Sequence, residues 1–143
     1  MPGVFLLLLE AAVNKWRTLP EVVVNLTGRT VIVTGSNVGL GLEAAKRFYE
    51  MNPARLILAV RSIEKGEEAR KAILEGGKKP SPHGSTRDDT KVDVWPLDLS
   101  SFESVKQFAN KCEAELERID ILLENAATQN PAWSVTKDGW ESE

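Results

Sequence analysis

A short apolar strand that runs into a glycine-rich turn and then a helix constrains this fold more than any other feature. Residues Thr30–Thr34 are β-branched and suited to burial on both faces, the pattern of a strand inside a parallel sheet. The turn that follows reads Gly35-Ser36-Asn37-Val38-Gly39-Leu40-Gly41. A helix beginning there presents free backbone N–H groups and a positive dipole end. The junction predicts a loop that cradles a dinucleotide pyrophosphate; the alternative is a tight turn whose glycines serve only helix–strand packing.

The rest of the chain alternates between strand and helix patterns. Apolar runs at residues 56–60, 92–97 and 119–123 predict three further strands, and Pro96 either weakens the third strand or places it at an edge. Such a βαβαβαβ chain predicts an α/β fold, a Rossmann-type doubly wound parallel sheet with strand order 3-2-1-4. Because the complete sheet of this type has the order 3-2-1-4-5-6, we expect an incomplete sheet whose fourth strand has a bare outer edge.

Local signals mark the helix ends. Asn52 and Pro53 end the first helix, and Ser62 caps a second helix that ends at Gly76-Gly77. Ser100 and Glu103 have the spacing of a capping box, which predicts the start of the third helix. The predicted inward face of that third helix consists of Phe102, Val105, Phe108, Ala109, Cys112 and Leu116.

Composition excludes several classes of function. The chain has 18 Lys and Arg residues against 21 Asp and Glu residues, a net charge of −3, whereas nucleic-acid-binding proteins show a basic excess. The single cysteine, Cys112, excludes an intrachain disulfide, and we interpret it as a small buried hydrophobe. The single histidine, His83, excludes a His–His metal site. It lies in a predicted exposed loop over residues 78–90, rich in Pro, Ser, Gly and charge.

Residues 1–25 predict a helical extension that precedes a truncated NADP-binding domain over residues 26–143. The apolar run at residues 4–9 is much shorter than the roughly 20 residues that a membrane span needs. No basic residue precedes that run, so it does not indicate a signal peptide, and we expect a cytoplasmic protein. We favour packing of this helix on the domain or on another subunit over a peripheral membrane contact.

Arg61 indicates which dinucleotide the loop prefers. It directly follows the second predicted strand, about 20 residues after the glycines, where the adenosine ribose lies in dinucleotide-binding folds. An acidic residue there would accept from the ribose 2′-OH and favour NAD, whereas an arginine can bind a 2′-phosphate in fork geometry. The sequence therefore predicts NADP as the cofactor, the alternative being that Arg61 is a solvated loop residue.

These motifs together resemble the N-terminal half of a short-chain dehydrogenase/reductase. The resemblance rests on the glycine turn after Thr34, on Asp98-Leu99 after the third strand, and on Asn125-Ala126-Ala127 after the fourth. The segment from Trp133 to Glu141 is similar to the one that opens the next helix in retinol-dehydrogenase-like members and in fungal specialised-metabolite reductases.

The resemblance also implies roles for individual residues. It implies that Asp98 binds the adenine amino group, that Leu99 lies beside the adenine ring, and that Asn125 steadies the central strand and faces the cofactor ribose. The residues that it assigns to further cofactor contacts are Gly35, Ser36, Asn37, Gly39, Leu40 and Gly41. Two positions depart from the family pattern: Ala127 replaces a usual glycine, and Glu124 replaces a common asparagine.

The family's Tyr-x-x-x-Lys pair has no counterpart among these residues. Tyr49 is the single tyrosine, it is four residues before Pro53, and its place near the end of the first helix indicates a structural role. The resemblance implies hydride transfer between NADP(H) and a carbonyl or alcohol substrate, possible for this chain only when the missing half is supplied. The alternatives are an inactive truncated homologue and a cofactor-binding pseudoenzyme that pairs the open edge of its fourth strand with another subunit. The same edge predicts self-association.

Overall fold

The structure, a computed structural model, describes residues 24–76, 90–128 and 132–141. Strands and helices alternate along this part of the chain. They are β1 (Thr30–Thr34), α1 (Gly39–Glu50), β2 (Arg55–Val60), α2 (Ile63–Gly76), β3 (Lys91–Pro96), α3 (Phe102–Glu115) and β4 (Ile121–Leu123). None of the helices in these ranges is long and apolar enough to cross a membrane. The predicted N-terminal helix, and nearly all of the predicted loop with His83, lie outside the described residues.

The strands form a parallel sheet in the order β3-β2-β1-β4, which confirms the predicted fold. Val31 on β1 is paired with Leu56 on β2 and with Ile121 on β4. The strand that contains Pro96 lies at an edge of the sheet, where the missing N–H of proline breaks no ladder on its outer side. The strand β1 lies between β2 and β4, so its carboxyl end has a neighbouring strand on each side.

The fourth strand begins two residues later than its apolar run predicts. Asp120, the residue before it, forms hydrogen bonds with residues at the start of β1. Its backbone N–H donates to Thr30 O at 3.0 Å. Its carboxylate accepts from the backbone N–H of Thr30 at 2.9 Å and from Arg29 Nη1 at 2.7 Å, and also from Arg118. The Thr30 amide and then the Arg29 guanidinium lower the pKa of Asp120 from its ordinary 3.8 to about 2. Asp120 thus ties the start of β4 to the start of β1.

One face of the sheet is covered by α1 and α2. The odd-numbered residues of β1 and the even-numbered residues of β2 point to this face, as the period of two in a strand requires. They pack against Ala45 and Tyr49 of α1 and against Ala69 and Ile73 of α2. Burial of Tyr49, at 6% exposure, confirms its structural place in the core. We call this side the closed face.

The opposite face is covered by α3, and only in part. Ile32, Ile57 and Trp95 pack there against Cys112, with Phe108 and Leu116 at the border. Cys112 is buried, as predicted, and burial raises the pKa of its thiol. The predicted inward face of α3 is wrong at three positions, because Phe102, Val105 and Ala109 are exposed. We call this side the open face.

The cap of α3 also differs from the predicted capping box. Ser101, and not Ser100, is the N-cap, and its Oγ accepts from the backbone N–H of Ser104 at 3.3 Å. Ser100 is turned towards Asp98 instead: its backbone N–H and its hydroxyl both donate to Asp98 Oδ1, at 3.0 and 2.6 Å. The end of α1 and the start of α2 agree with the sequence, since α1 ends at Glu50 and the Oγ of Ser62 accepts from the backbone N–H of Lys65 at 3.4 Å. Asn52 follows α1 with a φ of 58°, a conformation that asparagine tolerates.

Residues 132–141 contain no helix, which corrects the expectation that a helix opens there. An antiparallel bridge joins Val135 to Glu141, and Thr136 donates its backbone N–H to Trp140 O at 2.7 Å. Gly139 turns the chain between them with a φ of 83°. We call residues 132–141 the strap.

Candidate functional site

The glycine turn lies at the carboxyl end of β1 and leads directly into α1. Gly35 donates its backbone N–H to Ala59 O at 2.8 Å and has a φ of 64°, in the left-handed region that glycine adopts without strain. A Cβ on Gly41 would lie 2.4 Å from Gly35 O, so the turn closes on the helix with no room for a side chain. The tight turn thereby brings the first residues of α1 against the end of the strand.

The N-terminus of α1 has the electrostatics of an anion site. The N-cap residue is Val38, whose side chain makes no capping hydrogen bond, and the first turn contains no acidic residue. The first N–H groups of a helix have no partner inside the helix, and the aligned peptide dipoles place partial positive charge there. A negatively charged group is therefore the ligand that this helix end favours.

Asn125 locks the turn to the neighbouring strand. Its side-chain Nδ2 donates to Thr34 O at 3.1 Å and to Gly35 O at 3.4 Å. The Thr34 hydroxyl accepts from the backbone N–H groups of Asn125 and Ala126, at 2.9 and 3.0 Å. The loop after β4 is thus tied to the end of β1. Thr34 is therefore a positioning residue, although the sequence indicated it only as the start of the glycine motif.

The turn, the end of β2, the end of β3 and the loop after β4 converge on one cleft of about 460 Å³. All but two of the predicted site residues line it: Gly35, Asn37, Leu40, Gly41, Arg61, Asp98, Leu99 and Asn125. The cleft is also lined by residues that the sequence did not indicate for the site, among them Ser100, Thr128, Thr136 and Glu141. Thr136 and Glu141 belong to the strap, which no local sequence signal places at the cleft.

Two predicted site residues are not among the lining residues. Gly39 is the first residue of α1. Ser36 is fully buried, and its Oγ has no hydrogen-bond partner among the described residues. A buried hydroxyl without a partner carries a desolvation cost, which a ligand group that reaches it would remove.

Arg61 and Asp98 place a cation after β2 and an anion after β3, and both line the cleft. Arg61 is exposed at the end of β2 and has no salt bridge with another described residue. The Ser100 hydroxyl and then the Ser100 backbone N–H, both donating to Asp98, hold the pKa of Asp98 below its ordinary value. The positive charges of Arg61 and Lys137 lower that pKa further. At neutral pH, Asp98 is therefore a carboxylate that accepts hydrogen bonds, and the exposed Arg61 can bind an anion.

Comparison with known proteins matches this arrangement. The family model described as short chain dehydrogenase matches residues 29–143. The short chain dehydrogenase/reductase dmxR8 of Cryptosporiopsis sp. is 38% identical over 128 residues, which cover 89% of this chain and 37% of the relative. The short chain dehydrogenase sol3 of Alternaria solani is 44% identical over 118 residues, covering 82% of this chain and 38% of the relative. The chain therefore spans less than two-fifths of the length of these two fungal relatives.

Solved structures lead to the same group of proteins. Menthone neomenthol reductase from Mentha piperita superposes with a TM-score of 0.59 at 30% identity, over 71% of this chain and 32% of the plant enzyme. A short chain dehydrogenase from Shigella flexneri, crystallised in complex with NADP, superposes with a TM-score of 0.57 at 26% identity, over 73% of this chain and 40% of the bacterial one.

Proposed function

Because this chain belongs to the short-chain dehydrogenase family, we propose that its cleft binds NADP(H) for hydride transfer between the cofactor and a carbonyl or alcohol substrate. The observation that carries the proposal is the N-terminus of α1. It has no side-chain cap, and it opens on the same cleft as Arg61, whose guanidinium forms no salt bridge with another described residue. A dinucleotide phosphate has an anionic pyrophosphate for the first feature and an anionic 2′-phosphate for the second.

The residues around the turn fit such a cofactor. Gly41 allows the turn to close on the start of α1, and the hydroxyl of Ser36, which has no hydrogen-bond partner among the described residues, lies in the turn itself. The proposed contacts of the turn with the cofactor come from Gly35, Ser36, Asn37, Gly39, Leu40 and Gly41. When bound, the nicotinamide supplies the hydride or accepts it. The protein's own part, in these residues, is to bind the phosphates and to fix the orientation of the cofactor.

The adenosine end is proposed to lie between the ends of β2 and β3. The carboxylate of Asp98, whose Oδ1 is held by Ser100, would accept from the adenine amino group, with Leu99 beside the ring. Asn125, held against Thr34 and Gly35, would face the ribose. Each of these three residues lines the cleft, and this shared surface supports the assignment.

A calorimetric titration tests the cofactor proposal. We expect the chain to bind 2′,5′-ADP more tightly than 5′-AMP, because only the first ligand has a phosphate for Arg61. Losing a charge-assisted hydrogen bond costs about 1.5–3 kcal/mol, so Arg61→Ala should weaken 2′,5′-ADP about 10- to 100-fold and leave 5′-AMP unchanged. Lys71→Ala, which removes an exposed cation farther along α2, is the matched control. Equal affinities of the wild-type chain for the two nucleotides would remove the preference for NADP.

The chemical step needs residues that these 143 positions do not contain. Tyr49, the single tyrosine, is buried in the closed face and has no lysine four residues later. Reduction of a carbonyl, or oxidation of an alcohol, is therefore proposed for the protein in which the acid/base residues accompany this domain. By resemblance, we place that reaction in fungal specialised metabolism, and we also propose a cytoplasmic location. Cell fractionation with an antibody against this domain tests the location.

A second candidate function is a cofactor-binding pseudoenzyme that pairs with another subunit. The observation that favours it is the open face, where a groove of about 510 Å³ lies between α3 and β4. Leu122 on β4 is 50% exposed, and within the described residues β4 has a strand neighbour on one side only. Bare apolar strand edges pair readily with other chains. Sedimentation velocity tests whether this chain pairs with a second copy of itself. A monomer at all concentrations would contradict such pairing.

A further inference from the structure

The strap is fastened to the N-terminus of α3. The carboxylate of Asp138 accepts a hydrogen bond from the backbone N–H of Phe102 at 2.7 Å. The rings of Phe102 and Trp140 meet edge to face, with centroids 6.4 Å apart. Both contacts join residues that are more than thirty-five positions apart in the chain. Such a pair of contacts fixes the position of the strap and not merely its local conformation.

Asp138 caps the N-terminus of α3, although it lies far from that helix in the sequence. Ser101 accepts from the N–H of Ser104, which leaves the N–H of Phe102, the first residue of α3, without a partner in its own helix. A carboxylate is the group that a helix N-terminus favours, for its charge as well as its lone pairs. Asp138 is therefore matched to the position that it occupies.

The same helix end also holds the adenosine side of the cleft. Asp98 donates its backbone N–H to the Oγ of Ser104 at 2.9 Å, in the first turn of α3. The strap and Asp98 thus share one anchor. From that anchor the strap extends Thr136 and Glu141 along the cleft, where they line it together with Leu99 and Ser100.

We propose that Asp138 is a positioning residue of the cofactor cleft, whose bond to the N–H of Phe102 holds the strap as a wall that slows the escape of a bound nucleotide. The inference rests on the proposed function, because it requires the nucleotide to lie in this cleft. It goes beyond that function by assigning the retention of the nucleotide to the strap. The contacts that anchor the strap are at Phe102 on α3 and not at the glycine turn, so we expect the strap to affect how long the ligand stays more than how it is first captured.

The test is stopped-flow binding of NADPH to the full 143-residue chain. Removing a helix-capping group weakens its contact by a factor of about five, so Asp138→Ala should raise the dissociation rate about fivefold and change the association rate by less. Asp138→Asn keeps an acceptor oxygen and should stay within about twofold of wild type. Glu75→Ala, which removes an exposed carboxylate on α2, is the matched control and should have no effect.

Hydrogen exchange on the ligand-free chain provides a readout that does not depend on the cofactor. The amides of Thr136 and Gly139 donate within the strap, and their exchange should be faster in Asp138→Ala than in wild type. Where Asp138→Ala does not fold, Trp140→Ala removes the ring contact instead and should change exchange and dissociation in the same direction.

The outcomes separate the two proposals. Unchanged dissociation rates in Asp138→Ala and Trp140→Ala, with a wild-type chain that binds NADPH, would overturn the role of the strap and leave the cofactor proposal standing. A wild-type chain that binds neither NADPH nor 2′,5′-ADP would overturn both.

Discussion

The two faces of the sheet are built from the same strands but differ in how completely they are covered. On the closed face, two helices bury side chains from β1, β2 and β3, and Val31, Val33 and Leu58 are fully inaccessible. On the open face, α3 alone covers the sheet, and a groove remains between it and β4. The difference shows that an apolar residue on an amphipathic element is buried only where a second element reaches it.

The largest expected effect comes from testing the two faces with the same change. Leu58→Ala on the closed face removes a fully buried side chain and should lower the free energy of unfolding by about 2–5 kcal/mol. Leu122→Ala on the open face removes a half-exposed side chain and should cost less than about 1 kcal/mol. Urea denaturation of the two variants measures the difference. Similar losses would show that the open face is covered in solution.

A smaller effect concerns association rather than folding. If the open face mediates self-association, Leu122→Lys should weaken it about tenfold, because a charge on an exposed strand edge opposes pairing. Leu74→Lys provides the control, since Leu74 is a partly exposed leucine on α2, on the closed side of the sheet. Sedimentation equilibrium compares the two variants with wild type. Equal weakening by both substitutions would indicate a general effect of charge.

The smallest expected effect is on the stability at acid pH, through Asp120, which joins the start of β4 to β1. Its folded pKa, about 2, is below its ordinary 3.8, so its carboxylate stabilises the fold fully above the ordinary value. That contribution is lost as the pH falls from 3.8 towards 2. In Asp120→Asn, we expect a lower Tm at neutral pH and a shallower fall of Tm across this acid range, measured by circular dichroism. An unaltered acid dependence would contradict the role of this carboxylate.

The sequence predicted some residues of the candidate site but not others. The glycine turn and Arg61 follow strands whose apolar runs are unmistakable, so their place at one edge of a parallel sheet could be inferred. The strap residues Thr136 and Glu141 could not, because they reach the cleft through the bond from Phe102 to Asp138. Nothing in the local sequence around Asp138 indicates which helix it caps.

The capping of α3 shows the same limit at short range. Ser100 and Ser101 are neighbours, and both can accept a hydrogen bond from a helix N-terminus. Ser101 is the cap, whereas the N–H and the hydroxyl of Ser100 donate to Asp98, and this arrangement depends on how the end of β3 is placed. A capping-box pattern identifies the start of a helix to within a residue, but not which serine is used.

The amino-acid sequence by itself determined the alternation of strands and helices, the strand order and the glycine turn. These features depend on local periodicity, on the backbone freedom of glycine and on the handedness of crossover connections. Only the tertiary structure decided which face of α3 is buried, where β4 begins and where the strap docks. Each of these depends on contacts between residues far apart in the chain, as when Asp120 meets Thr30 and Asp138 meets Phe102. Such contacts leave no periodic signal in the sequence, because they are made by single side chains that the fold brings together.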